Sequence, residues 1–227
     1  MVGLTVLSTL VASALYVGAT PMKRAVPYYN PTNAAGGSML DWLVNGKGEP
    51  LNVIVSGLSS SDVLTVDGIV NYARSIGYSA ECLGLHSGTP QTATLGDGNR
   101  NQSELIVIRE DYNNEPIGTC LESLIGGNHF RVFKQNGTEA QSNALFLAVS
   151  QEEDVTQGHT ISPNGYNIGR DRLVAAALEN NGTSSFGGVS YSITAENITG
   201  LLAPGADQID DDIAQDGIVT LLTVTIV

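Results

Sequence analysis

Leu51-Asn52-Val53-Ile54-Val55-Ser56-Gly57, followed at once by Ser60-Ser61-Asp62 and a segment in which Val63, Val66, Ile69, Val70, Ala73 and Ile76 recur every three or four residues, decides the fold. A short apolar run closed by glycine predicts a buried strand. The Ser-Ser-Asp cluster offers side-chain oxygens to the free N–H groups of a first helical turn, and Gly77 supplies the stop. A strand therefore hands over directly to an amphipathic helix. Working outward, residues 104–109, 129–134 and 143–149 carry strand patterns, and Gln135-Asn136-Gly137-Thr138 has the chemistry of a hairpin turn. Residues 170–180 predict a second helix with Leu173, Val174, Ala177 and Leu178 on one face, ended by Asn180-Asn181-Gly182. Residues 188–195 and the C-terminal segment 218–227 predict two more strands. Strand, helix, three strands, helix, two strands predicts an α+β fold: a mixed β-sheet with about two main helices packed on one face, in a single domain. Residues 78–101 are left as a long Gly/Ser/Thr-rich loop, the kind of segment that often binds ligands.

The N-terminus sets the compartment. Residues 2–19 are uncharged, end in Val17-Gly18-Ala19, and are followed by Lys23-Arg24. This predicts a signal peptide over 1–19, a short propeptide over 20–24 ending in Lys-Arg, and a single secreted domain over 25–227, with its globular core at 38–227. The dibasic step fits a fungal secretory route. The formal net charge is −13 with a pI of about 4.4, which sets the surface against nucleic acid and anionic lipid. Charged residues make up only 15% of the chain, a balance found in secreted proteins that work in acid and equally explained by solubility alone. The C-terminal apolar segment is too short to span a bilayer and is broken by threonines, so no membrane partner is expected once the leader is removed. A lipid-anchor signal is the competing reading of that segment.

Cys82 and Cys120 are the only cysteines, and in an oxidising compartment the pair predicts one disulfide rather than two free thiols. Asn101, Asn136, Asn181 and Asn197 each open an Asn-x-Ser/Thr sequon and predict glycosylation in solvent-facing positions. Histidine occurs only at His86, His129 and His159. Alternation on the strand puts His129 and Arg131 on one face, about 7 Å apart, a spacing suited to a shared anion. His159 lies in a polar loop ahead of Arg170-Asp171-Arg172. A cluster of His129, His159 and Asp171 would serve as an acid–base pair or a metal site, while the bland alternative is hydrogen-bonded structural histidines. The spacing matches no metal-ligand motif, so neither metal nor cofactor is assigned. Glu152-Glu153-Asp154 reads as a solvated acidic loop, and Asp207 with Asp210-Asp211-Asp212 reads as another, with oxygen-only calcium binding as its alternative. No Gly-x-Ser-x-Gly elbow is present.

Three segments, 50–57, Asn128-His129-Phe130-Arg131-Val132-Phe133, and His159-Thr160-Ile161-Ser162-Pro163 running into Gly169-Arg170-Asp171-Arg172, together resemble the C-terminal domain associated with LssY-type membrane phosphatases. The likeness covers roughly residues 50–179. It departs from that family at Asn167, where an acid is expected, and in having no phosphatase portion. The resemblance implies that His129, Arg131, His159, Arg170 and Asp171 converge, either as a polar core network or as a ligand pocket. The expected function is an extracellular or cell-wall-associated binding or structural module with an unidentified extracellular ligand. The alternative is a small extracellular hydrolase in which His129, His159 and Asp171 do acid–base or metal-assisted work while Arg131 and Arg170 hold an anionic group.

Overall fold

The computed structural model describes residues 25–33, 36–43, 45–85, 89–114 and 117–227. The leader and propeptide readings and His86 lie outside the described residues. In chain order the elements are β1 (Asp41–Trp42), β2 (Val53–Val55), α1 (Val66–Ser75), β3 (Tyr78–Ala80), β4 (Thr92–Ala93), β5 (Gln102–Ser103), β6 (Ile106–Glu110), α2 (Gly118–Ile125), β7 (Gly127–Lys134), β8 (Leu145–Glu152), α3 (Gly165–Gly182), β9 (Thr183–Phe186), β10 (Val189–Ile198) and β11 (Val219–Ile226). Eight strands form one sheet in the order β3-β6-β7-β8-β2-β11-β10-β9, and β1, β4 and β5 form a small antiparallel sheet. Within the large sheet β2 and β11 run parallel and the other neighbours antiparallel. The fold is α+β, built on a mixed sheet.

Period-two alternation gives the sheet two different faces. Phe130 and Val132 of β7, Leu147 and Val149 of β8, and Val53 and Val55 of β2 join Ile69, Tyr72 and Ala73 of α1 and Leu173 and Ala177 of α3 in one buried cluster. Helices α1 and α3 therefore cover this face. The opposite face gathers Ile54, Phe133, Phe146 and Ala148 under Met39, Leu51, Ala93 and Leu95, so the small sheet and the strap before it close the second side of the core. Segment 78–101, expected as loop, thus spends part of its length on strands β3 and β4.

Local chemistry moves several boundaries. Helix α1 starts at Val66, later than the Ser60-Ser61-Asp62 cluster predicts, because Thr65 is the residue whose hydroxyl accepts from Gly68 N at 3.0 Å. Residues 60–65 instead form successive turns, and the Ser60 hydroxyl accepts from Ile226 N to pin the end of β11. Helix α3 begins at Gly165, five residues before the expected start. Gly169 explains how it lies so close to the sheet: a Cβ there would come within 2.7 Å of the Ser150 carbonyl carbon. Asn52 ties sheet to helix, donating to the carbonyls of Val149 and Tyr166 at 2.9 Å each.

Helix α2 escapes the sequence pattern. It has no side-chain cap, and it buries Glu122 completely while leaving Leu124 and Ile125 more than half exposed. The Cys82–Cys120 disulfide fastens it to the 3-10 turn Cys82–Gly84 that follows β3. This polarity, inverted relative to an ordinary surface helix, marks the place where the fold serves something other than its own core.

Candidate functional site

The side of β6, β7 and β8 that faces away from α1 and α3 carries Arg109, His129, Arg131, Ser150 and Glu152, because cross-strand register sets Arg109 opposite His129, His129 opposite Ser150 and Arg131 opposite Ala148. These polar groups occupy the same face as the second apolar cluster, toward the end of the strands that α2 covers. Glu122 reaches in from α2 and accepts from Arg109 Nη1 at 2.8 Å. The same guanidinium nitrogen lies 3.4 Å from Glu152 Oε2. Arg131 donates to Glu49 at 2.8 Å and pairs with Glu104 at 3.2 Å.

His129 is completely buried. Its Nε2 sits 3.0 Å from Arg131 Nη1 and 3.4 Å from Ser150 Oγ, and its Nδ1 points at Glu152 Oε1 from 3.6 Å. An arginine N–H only donates, so Nε2 must accept from it and the imidazole proton resides on Nδ1. Burial, reinforced by Arg131, holds the imidazole well below its ordinary pKa, so it is neutral. His159 approaches the same carboxylate from a loop, its Nδ1 3.6 Å from Glu152 Oε2. Its backbone is left-handed, at φ 57°, just after Gly158 closes the 3-10 turn Val155–Gln157. A left-handed histidine is uncommon, and here it sits at the mouth of a cavity.

That cavity has a volume of about 280 Å³ and is lined by Glu81, Arg109, Arg131, Glu152 and His159, with Cys82 and Leu85 of the disulfide loop at its edge. Burial pushes the carboxyl of Glu122 up to about 7 against the opposing pull of Arg109, and burial likewise raises that of Glu152. Deeper in, burial raises Glu49, and raises Asp41 well above the carboxylate range with the charge of Glu49 adding to the effect. A larger hollow of about 760 Å³ lies between Arg74, Glu179 and Ser184, but among the described residues no side-chain nitrogen or oxygen of its walls is both buried and without a hydrogen-bond partner. The chemistry is concentrated in the smaller cavity.

The structure thus brings together His129, His159 and Arg131 from the candidates named in the sequence. It places Arg170 and Asp171 elsewhere. Arg170 is a buried anchor that grips Asp216 with two nitrogens at 2.6 and 2.8 Å and donates to the Ile218 carbonyl at 3.0 Å, tying α3 to the strand before the C-terminus. Asp171 is largely exposed and pairs with Arg170. The acids beside the histidines are Glu122 and Glu152. Glu152, read in the sequence as part of a solvated loop, is the buried last residue of β8; Glu122 carries no sequence signal beyond its place two residues after Cys120. Asp210, Asp211 and Asp212 diverge to separate partners, Asn45, the Ile161 N–H and Lys47. Asn101, Asn136, Asn181 and Asn197 are all exposed. No helix among the described residues is long and apolar enough to cross a membrane.

No family model, no curated protein and no solved structure matches the chain.

Proposed function

We propose that this chain is a secreted, glycosylated extracellular or cell-wall-associated protein that acts by binding, and that the cavity beside the Cys82–Cys120 disulfide is its ligand site. The observation that carries this reading is the contrast between floor and rim. The floor is charged: Arg109, Arg131, Glu152 and His159. The elements around it expose Leu83 and Leu85 on the disulfide loop, Leu124 and Ile125 at the end of α2, and Val155 on the turn that touches α2. Apolar side chains grouped around a polar cavity are costly to leave in water and fit a ligand with a polar head and an apolar body. Exposed sequons at all four positions and the disulfide support the extracellular setting. The likeness to the LssY-associated domain belongs to the proposal as a shared arrangement of His129, Arg131 and His159, without Arg170 and Asp171.

The test is a titration of the secreted protein, kept in EDTA, with dodecanoate and with dodecylammonium below their micellar concentrations. Saturable binding of either that weakens at least tenfold in both Leu85→Glu and His159→Ala is the expected result. If both amphiphiles fail to bind a folded protein, or bind these variants equally well, the cavity is not a ligand site of this kind.

One observation favours a second reading, a small extracellular hydrolase: His159 is about one-third exposed inside the cavity and backed by Glu152. In that reading His159 is the general base, Glu152 orients it, and Arg109 and Arg131 hold an anionic group. It requires ester or phosphoester turnover that disappears in His159→Gln.

A further inference from the structure

Three buried atoms around Glu152 have no hydrogen-bond partner: Glu122 Oε1, His129 Nδ1 and His159 Nδ1. One donor atom from each of Glu122, His129 and Glu152 lies within 4.8 Å of the others. His129 Nδ1 stands 3.6 Å from Glu152 Oε1 and His159 Nδ1, outside that trio, 3.6 Å from Glu152 Oε2, both too far for a hydrogen bond. Ligands placed about 2.1 Å from one tetrahedral ion are separated by roughly 3.4 Å, close to that spacing. We propose that Glu122, His129 and Glu152, joined by His159 from the cavity side, form a binding site for one divalent transition-metal ion, for which Zn²⁺ is the probe.

Charge argues in the same direction. Among the described residues Arg109 pairs with Glu81, Glu122 and Glu152, and Arg131 with Glu49 and Glu104 with Asp41 nearby, so six carboxyl groups share two guanidiniums in a largely water-excluded region, where a divalent cation supplies positive charge the arginines do not. The outer partners are already in position. Arg109 holds Glu122 by Oε2 and leans on Glu152 Oε2, leaving Glu122 Oε1 without a partner and Glu152 Oε1 3.6 Å from His129 Nδ1. Such outer contacts orient ligands and are characteristic of built metal sites. Two imidazoles with two carboxylates favour zinc and its transition-metal neighbours over calcium or magnesium, which prefer oxygen alone.

Metal entry requires one rearrangement. With the ion on Nδ1 of His129, the imidazole proton moves to Nε2, where Ser150 Oγ at 3.4 Å accepts it, and Arg131 Nη1 gives up its 3.0 Å contact with Nε2 and draws back onto Glu49, to which it already donates at 2.8 Å. The ring changes tautomer without gaining or losing a proton. The cavity lined by His159 and Glu152 provides the way in.

The ion would share Glu152 and His159 with the amphiphile cavity, whereas Glu122 and His129 lie outside its lining and the apolar collar plays no part; because the amphiphile titration is run in EDTA, the two readings fail separately. The experiment is calorimetric titration of EDTA-stripped, dialysed protein with ZnSO₄, repeated with CoCl₂ while the visible d–d bands are followed. One equivalent of zinc, a raised melting temperature and cobalt bands of a low-coordinate N/O site are expected. Glu122→Gln and His159→Ala should each weaken zinc binding at least tenfold, whereas the double variant Asp211→Asn, Asp212→Asn in the exposed acidic loop should bind as the parent does. Should Glu122→Gln fail to fold, His159→Ala on the half-exposed loop carries the test alone. Absence of stoichiometric zinc, affinity unaffected in His159→Ala, or affinity lost in the acidic-loop variant would overturn the assignment.

Discussion

Arg170 and Arg131 look alike in the sequence, each beside a candidate catalytic residue, yet they do different work. Arg170 is buried against Asp216 and the Ile218 carbonyl, with Asp171 trailing on its exposed side. Replacing it with leucine leaves a carbonyl and a carboxylate without their donor; because Asp216 is partly solvated, the loss should be about 2 kcal/mol rather than the larger cost of breaking a fully buried pair. Arg170→Leu is therefore expected to lower the denaturation midpoint while leaving zinc and amphiphile binding unchanged. A loss of binding at unchanged stability would return Arg170 to the site. His129 and Arg131 were legible as neighbours on one strand face because period-two alternation depends only on local sequence. Asp171 was misplaced because α3 starts at Gly165, five residues earlier than local signals indicate, and nothing local reveals which way a helical residue turns once the helix is docked.

At the scale of elements, α2 is the decisive case. Its sequence, Gly118-Thr119-Cys120-Leu121-Glu122-Ser123-Leu124-Ile125, carries no capping residue, and its buried positions belong to Gly118, Thr119 and Glu122 rather than to its leucines and isoleucine. The helix is held in place by the disulfide and by the Glu122–Arg109 pair, both of them long-range contacts. The bond closes 38 residues of chain, which in the chain-entropy description amounts to about 4 kcal/mol of stability. The double variant Cys82→Ser, Cys120→Ser is expected to lose roughly that much in a urea titration and, where still folded, to bind zinc more weakly because Glu122 is released with α2. Zinc affinity equal to the parent's in a folded double variant would remove Glu122 from the ligand set. The strands and the helices α1 and α3 were readable in outline from periodicity. Their ends shifted where a single hydroxyl, Thr65, out-competed its neighbours, or where Gly169 let α3 extend along the sheet.

For the molecule as a whole, the buried acids set the response to pH. Asp41 and Glu49 have their carboxyl pKa raised by burial, so the stability they contribute is fully present below their unfolded values and is lost as pH climbs through the folded ones. Asp216 has the opposite sign: Arg170 lowers its pKa, and its contribution is present above the unfolded value and lost as pH falls through the folded one. The net charge of −13 adds self-repulsion toward neutrality. Stability in EDTA should therefore peak at about pH 4–5 and decline toward pH 7.5. Urea midpoints measured across that range check it, and a midpoint that rises steadily to neutral pH contradicts it. An acid optimum of this kind matches a chain in which carboxylates outnumber bases and six of them, drawn from several elements, gather about Arg109 and Arg131.

What the sequence determined by itself is whatever depends on near neighbours, an α+β order of elements, the faces of β7 and solvent-facing sequons, together with the cysteine pairing, which follows from there being only two cysteines. Tertiary structure alone decided that Glu122, which no pattern marks, and Glu152, read in the sequence as loop, stand with buried His129 behind the cavity that His159 lines, and that Asp171 does not. The physical reason is that backbone periodicity is a short-range property, whereas the convergence of these groups depends on how β6, β7 and β8 pair and on a disulfide that pulls α2 over their ends.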